Sequence, residues 1–168
     1  KSIIKKMLSI KWCFLQNIIY YLNNIGMKDV NVIIAARMGS SRFRGKTLAN
    51  LFGKPMLYRL LERIRYSSNI KKIILATTTN PEDNLLEKFC KANDVICYRG
   101  SSEDVLLRLK EAATYNNVEH IIEILGDNPI VHSDIIDACI NKYISMKANY
   151  LATATKEYPH LKKNKLKL

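Results

Sequence analysis

The sequence predicts an α/β fold, an open and mainly parallel β-sheet with helices on both faces. Three observations predict it. Short β-branched runs alternate with segments of helical periodicity from residue 30 onward. The helical segments open on start signals such as Pro55, Asn80-Pro81, Ser101 and Ser133. Each pair of successive strands is separated by enough chain for a crossover helix, which parallel pairing requires.

The elements follow in order. "VNVIIAA" (30–36) is an apolar, buried strand. "PMLYRLLERIRYSS" (55–68) places Leu57, Leu60, Leu61 and Ile64 on one helical face, with Pro55 suited to the first turn. "KKIILAT" (71–77) is the second strand, and Asn80 N-caps a helix reaching about Ala92. "VICY" (95–98) is a short third strand. Over 101–115, Ser101 and Asp104 stand at capping-box spacing before a helix. "HIIEIL" (120–125) is the fourth strand, Ser133 or Asp134 caps a helix to about Lys147, and "NYLATA" (149–154) is the fifth strand. In such sheets ligands collect at the carboxyl ends of the strands, where the loops after Ala36, Ala76 and Leu125 emerge.

The chain divides into an extension over 1–26, a domain over 27–159 and a basic tail over 160–168. At 168 residues, 48% hydrophobic and 25% charged, it suits one globular domain. The net charge of +12 is concentrated at the ends: residues 1–26 and 156–168 carry +4 each, which leaves +4 on everything between. This distribution, with no RNP-like aromatics, zinc-finger spacing or basic recognition helix, argues against a nucleic-acid binder. The first 26 residues are too short and mixed for a bilayer span and carry no clean cleavage site. The four cysteines (Cys13, Cys90, Cys97 and Cys139) are scattered without a CxxC pair, as expected of packed thiols in a reducing cytoplasm. The three histidines show no metal-ligand spacing.

The informative stretch is "IIAARMGSSRFRGKTL" (33–48). Directly after a buried strand it offers Arg37, Arg42, Arg44 and Lys46 beside Gly39, Gly45, Ser40 and Ser41. Glycine admits close approach, the serines donate hydrogen bonds, and cations answer phosphate charge. At about 4 Å and an effective dielectric near 20, one such charge pair is worth roughly 4 kcal/mol before desolvation. A Walker A loop needs four residues between its glycines and a long following helix. Here five intervene, and Gly53-Lys54-Pro55 interrupts soon after. The strand "IIEILGD" keeps a P-loop kinase open as a rival, and a solvated basic loop is another.

The same loop resembles the signature of the sugar-acid cytidylyltransferases, most closely the spore coat polysaccharide biosynthesis protein F type, which is related to the CMP-N-acetylneuraminate and 3-deoxy-manno-octulosonate enzymes. "GKPMLYRLLERI", "ILATTTNPEDNLLEKF", "CYRGSSEDVLLRL" and "ILGDNPIVHSDIID" resemble that family's successive blocks, in order, so that the likeness runs from Val30 to Pro159. It implies a nucleotide-diphospho-sugar transferase fold with a Rossmann-like sheet. The implied reaction is transfer of CMP from CTP to a sugar-acid hydroxyl, with Mg²⁺ and release of pyrophosphate, in cell-surface polysaccharide synthesis. Ala36, Arg37, Gly39, Ser40, Ser41, Arg42 and Lys46 would cradle the triphosphate, with Lys46 and Arg37 acting on the reacting phosphoryl group. Ala76, Thr77 and Thr78 would border base and ribose, Arg99, Gly100, Asp104 and Arg108 would stand beside the base, and Asp127 would bind the metal. The residues themselves leave a structural capping role open for Asp104 and Asp127, and a solvated helical position for Arg108. CTP and a sugar acid are the implied partners, with a homodimer admitted.

Two departures from the family accompany the resemblance. Phe43-Arg44 stands where relatives usually have Leu-Pro, and Ala35 where they often have Gln. The family domain would also continue past Tyr158-Pro159 with a second metal carboxylate and much of the sugar-acid site, whereas this chain shows no acid after Glu157. A C-terminally incomplete domain is therefore expected, and a non-catalytic nucleotide-binding remnant is the alternative function.

Overall fold

The computed structural model describes residues 29–39, 43–146 and 151. The extension over 1–26, the basic tail and loop residues Ser40, Ser41 and Arg42 lie outside them, as does the strand expected over 149–154 apart from Leu151.

Strand β1 (Val30–Ala35) is followed by a 3₁₀ turn (Lys46–Leu48) and a small hairpin of β2 (Asn50–Leu51) and β3 (Lys54–Pro55). Helix α1 (Met56–Arg65), strand β4 (Ile73–Thr78), helix α2 (Asn84–Ala92), strand β5 (Ile96–Gly100), helix α3 (Val105–Tyr115), strand β6 (His120–Leu125) and helix α4 (Ser133–Ser145) complete the alternation. Strands β5, β4, β1 and β6 form one sheet in that order, all parallel. The chain steps outward from β1 to β4 and β5, then crosses to the other side of β1 for β6. This reversal opens a crevice between the carboxyl ends of β1 and β6, where Ala35 is level with Leu125.

Helices cover both faces, as the strand–helix alternation predicts. Val30, Val32 and Ile34 of β1 point to one side and join Leu57, Leu60, Leu61 and Ile64 of α1, Leu86 and Cys90 of α2, and Ile136 and Ile140 of α4. Ile33 points to the other side and packs with Ile74, Ala76, Leu109 and Ala112 beneath α3. Burying both faces is why β1 carries a continuous apolar run rather than an alternation. The four buried α1 residues recur at i, i+3, i+4 and i+7, and each contributes about 1.5–3 kcal/mol by leaving water. Strand β6 is covered less completely, since Ile121, Glu123 and Leu125, on the α3 side, are exposed.

The structure corrects three local expectations and adds an element. Asn80 makes no side-chain cap; Pro81–Asp83 forms a 3₁₀ turn before α2 begins. Ser101 is not the cap of α3. Asp104 is, its carboxylate accepting the Leu107 amide at 2.9 Å, while the Ser101 hydroxyl accepts the Asp104 amide. Neither Ser133 nor Asp134 caps α4, because His132 Nδ1 accepts the Asp134 amide at 3.3 Å. The β2–β3 hairpin arises because Phe52 (φ 52°) and Gly53 (φ 81°) adopt the left-handed conformations of a tight two-residue turn, and Asn50 Oδ1 accepts the Gly53 amide.

Cys90 is buried, Cys97 and Cys139 are half-buried, and all three are free thiols. No helix of the described residues is long and apolar enough to cross a membrane.

Candidate nucleotide-binding site

A cleft of about 280 Å³ opens at the β1–β6 crevice, lined by Ala35, Ala36 and Arg37 after β1, Lys46 and Thr47 of the 3₁₀ turn, Val105 and Arg108 of α3, and Leu125, Gly126 and Asp127 after β6. Short-range geometry holds each wall. The loop leaving β1 is closed at its base by the Gly45 amide donating to the Met38 carbonyl at 3.0 Å. Gly45 stands at φ +73°, a left-handed conformation that glycine adopts without steric cost, and it starts the turn that presents Lys46. The Thr47 hydroxyl donates back to the Arg37 carbonyl at 3.2 Å. On the far wall, the Gly126 amide donates to the Ala35 carbonyl at 2.9 Å. A Cβ on Gly126 would come within 2.7 Å of the Ala36 Cβ and 3.1 Å of the Ala35 carbonyl oxygen. Glycine is required there by close approach.

A buried carboxylate stiffens the cradle from behind. Asp83 is fully buried; one oxygen accepts the Met38 amide at 2.7 Å, the other the Thr78 amide at 3.1 Å and the Thr78 hydroxyl. It ties the loop after β1 to the end of β4.

The cleft's charge is uneven. Arg37, Lys46 and Arg108 bring three cations against the single carboxylate of Asp127. Lys46 Nζ lies 2.5 Å from Asp127 Oδ2, and both side chains remain partly open to solvent. Arg108 is 2% exposed; its Nη1 donates to the Ser101 carbonyl at 2.5 Å, while its Nε is buried without a partner. Burial pulls its pKa below the usual guanidinium value, and the positive charge of Arg37 adds to the effect. A buried, partly unsatisfied cation is costly unless an anion joins it. The arrangement is suited to a polyanion.

Of the residues selected from the sequence, Ala36, Arg37, Lys46, Arg108 and Asp127 come together in this cleft. Gly39 lies in the same loop. Ser40, Ser41 and Arg42 lie outside the described residues. Ala76 and Thr77 are buried within β4, and Thr78 is engaged with Asp83. Arg99 is held elsewhere: its guanidinium donates to the Thr78 and Asn80 carbonyls, to Asn84 Oδ1 and to Glu87, so it fastens β5 to the start of α2. Gly100 packs against Tyr98 and Arg108, and Asp104 is the α3 cap. Thr47, Val105, Leu125, Gly126 and Asp83 were not selected from the sequence. Adjacency in the chain to Lys46, Asp104 and Asp127 could have signalled the first four, but nothing local marks Asp83, whose acid in "PED" looks like a favourable helix-start charge.

Among the described residues no group of three or more His, Cys, Asp or Glu is placed to hold a metal ion. Asp127 alone fits an ion shared with bound phosphates, since Mg²⁺ needs one or two protein carboxylates when phosphates supply other ligands. It does not fit an ion held by protein alone.

Comparison with known proteins identifies the family and the fold. A family model described as cytidylyltransferase matches residues 31–167. Spore coat polysaccharide biosynthesis protein SpsF of Bacillus subtilis is 34% identical over 128 residues, 74% of this chain and 53% of that protein. An uncharacterised protein of Methanocaldococcus jannaschii is 36% identical over 121 residues, 72% of this chain and 50% of its own. Among solved structures, a cytidylyltransferase from Leptospira borgpetersenii superposes with a TM-score of 0.67 at 31% identity, over 70% of this chain and 50% of that one. A CMP:2-keto-3-deoxy-manno-octonic acid synthetase complexed with CTP gives 0.62 at 26% identity, over 72% and 49%. The fold is thus the Rossmann-like nucleotidyltransferase fold, and the chain spans about half the length of the curated relatives it matches.

Proposed function

The chain belongs to the cytidylyltransferase family, and on that premise we propose that its cleft binds CTP and supports transfer of CMP to a sugar-acid hydroxyl, with release of pyrophosphate, in making cell-surface polysaccharide. The observation that carries this reading is the meeting of Arg37, Lys46 and Arg108 with Asp127 at the β1–β6 crevice. The relatives support the nucleotide and acceptor classes: one solved neighbour is complexed with CTP, and several relatives near 30% identity are 3-deoxy-manno-octulosonate cytidylyltransferases.

In this reading the triphosphate lies along the loop after β1. Lys46 and Arg37 meet its charge, and the family resemblance adds Ser40, Ser41 and Arg42, which lie outside the described residues. The buried Arg108 lines the cleft and adds its charge to those of Arg37 and Lys46. Asp127 would hold Mg²⁺ together with phosphate oxygens, and the ion supplies neutralisation of charge on the reacting phosphate. The protein's own task is positioning: the rigid loop base at Met38–Gly45 and the Asp83 tie fix where the α-phosphorus sits for in-line attack. Use of CTP fits work in the cytoplasm.

The test is pyrophosphate release from CTP by the full chain, with a panel of sugar acids and Mg²⁺. Release that depends on both the sugar acid and Lys46 supports transfer. CTP binding without release from any sugar acid would leave a non-catalytic nucleotide binder in its place.

A further inference from the structure

Two of the described free thiols stand on facing elements, Cys90 in the last turn of α2 and Cys97 in β5, and neither lines the nucleotide cleft. We propose that Cys90 and Cys97 form a redox-active pair, a modification site at which a peroxide oxidises the two thiols to one intramolecular disulfide.

The local fold brings the pair together. After α2 the chain reverses sharply: the Cys90 carbonyl accepts the Asn93 amide at 3.2 Å and the Val95 amide at 3.0 Å, and Asp94 between them takes a left-handed conformation (φ 54°). Strand β5 therefore starts directly beside the end of the helix. Side chains alternate along a strand. Tyr98 packs into the cluster beneath α3, which turns its neighbour Cys97 to the opposite face, against the cluster that contains Cys90. Arg99 then fastens β5 to α2 by donating to Asn84 Oδ1 and Glu87. The two carriers are locked to each other through the turn and through a side chain.

The two thiols are chemically unlike, as an attacking and a resolving cysteine should be. Cys90 is 1% exposed, and hydrogen bonding with Cys97, then burial, keep its proton in place. Cys97 is half-buried and open to a small oxidant. Hydrogen bonding with Cys90 favours its thiolate and Arg99 adds to this, so its pKa falls below the usual thiol value although burial and Glu87 oppose the shift. The thiolate is the nucleophile. Cys97 sulfur attacks one oxygen of the peroxide and the O–O bond breaks. A sulfenic acid forms, and the departing hydroxide takes up the proton that Cys97 had released. Cys90 sulfur then attacks the Cys97 sulfur, its proton leaves with the sulfenic hydroxyl as a second water, and the S–S bond closes. The two thiols together lose two electrons and two protons, and one peroxide becomes two waters.

The test treats the reduced full chain with a small molar excess of hydrogen peroxide, blocks the remaining thiols and maps every cysteine by mass spectrometry. The parent should lose the Cys90 and Cys97 thiols together and yield a peptide pair joined between them, and dithiothreitol should restore both. Cys90→Ala should stop at a Cys97 sulfenic acid that dimedone traps, because the resolving thiol is gone. Cys97→Ala should leave Cys90 a free thiol under the same treatment. The parent's own map carries the central result, so it does not hang on the folding of either variant. Cys90 left free after Cys97 has been oxidised would overturn the pair. So would both thiols left free, whether or not Cys139 reacts, or a disulfide from either one to Cys13, Cys139 or a second chain.

Discussion

Asp83 accepts the Met38 amide at 2.7 Å across 45 residues of sequence, while the same carboxylate accepts from Thr78. One buried acid therefore registers the loop after β1 against the end of β4, with hydrogen bonds, and the nearby positive charge of Arg108, lowering the cost of its burial. The position of the loop after β1 is set from inside the fold.

Removing that acid leaves three donors without their acceptor. Asp83→Ala should lower unfolding stability by about 2–4 kcal/mol, and Asp83→Asn by roughly half as much, measured by urea denaturation. A loss below about 1 kcal/mol in Asp83→Ala would mean that the tie is unimportant.

Arg108 should show the opposite balance between stability and binding. Its buried guanidinium has one hydrogen bond, an unpartnered Nε and a neighbouring cation in Arg37. Arg108→Met should melt at the same or a higher temperature than the parent without nucleotide, and should lose most of its CTP affinity by calorimetry. A large drop in nucleotide-free stability, with CTP affinity unchanged, would assign Arg108 to the scaffold.

Gly126→Ala should cost about 1–3 kcal/mol, because the new methyl meets Ala36 and the backbone of Ala35 with no flexible side chain to yield. Separation of β6 from β1 should also weaken CTP binding. A melt indistinguishable from the parent's would show that the crevice is looser than its geometry implies.

Glu87 supplies a pH-dependent contribution. Hydrogen bonds from Arg99, then from Lys91, hold its carboxyl below the ordinary value of 4.5. A carboxyl lowered in the folded state stabilises above its unfolded pKa, and that contribution is lost as pH falls through the folded value. Glu87→Gln should therefore melt slightly below the parent at pH 7, and the gap should close under acid conditions below pH 4. A gap that persists unchanged at pH 3 would assign the effect to packing.

The sequence made the sheet legible because its central strands, β1 and β4, are buried on both faces. Runs such as 30–36 and 71–77 have no polar alternation, and the intervening helices carry regular apolar stripes. Arg37, Lys46 and Asp127 were selected from a loop and a strand end whose residue types suit phosphate and metal, Arg108 only from the family resemblance, and the four line one cleft. Asp83 and Arg99 were not, because their roles depend on partners distant in the chain: Asp83 reaches Met38, and Arg99 spans Thr78 to Glu87. The caps at Asp104 and His132 were missed by a few residues for a different reason. Ser101, Ser133 and Asp134 are equally good local acceptors, and only the tertiary path of the chain decides which one meets the first helical amides.

What the cleft holds is most directly measured by nucleotide-selective stabilisation. The full chain would be melted with CTP, ATP, GTP and UTP, each with and without Mg²⁺; a ligand at roughly 100 times its Kd adds about 2.7 kcal/mol, a readily visible shift. CTP with Mg²⁺ should raise the melting temperature most, with a smaller rise from CTP alone and little from ATP. An equal response to ATP, or a cooperative melt that no nucleotide moves, would contradict a CTP site at the β1–β6 crevice.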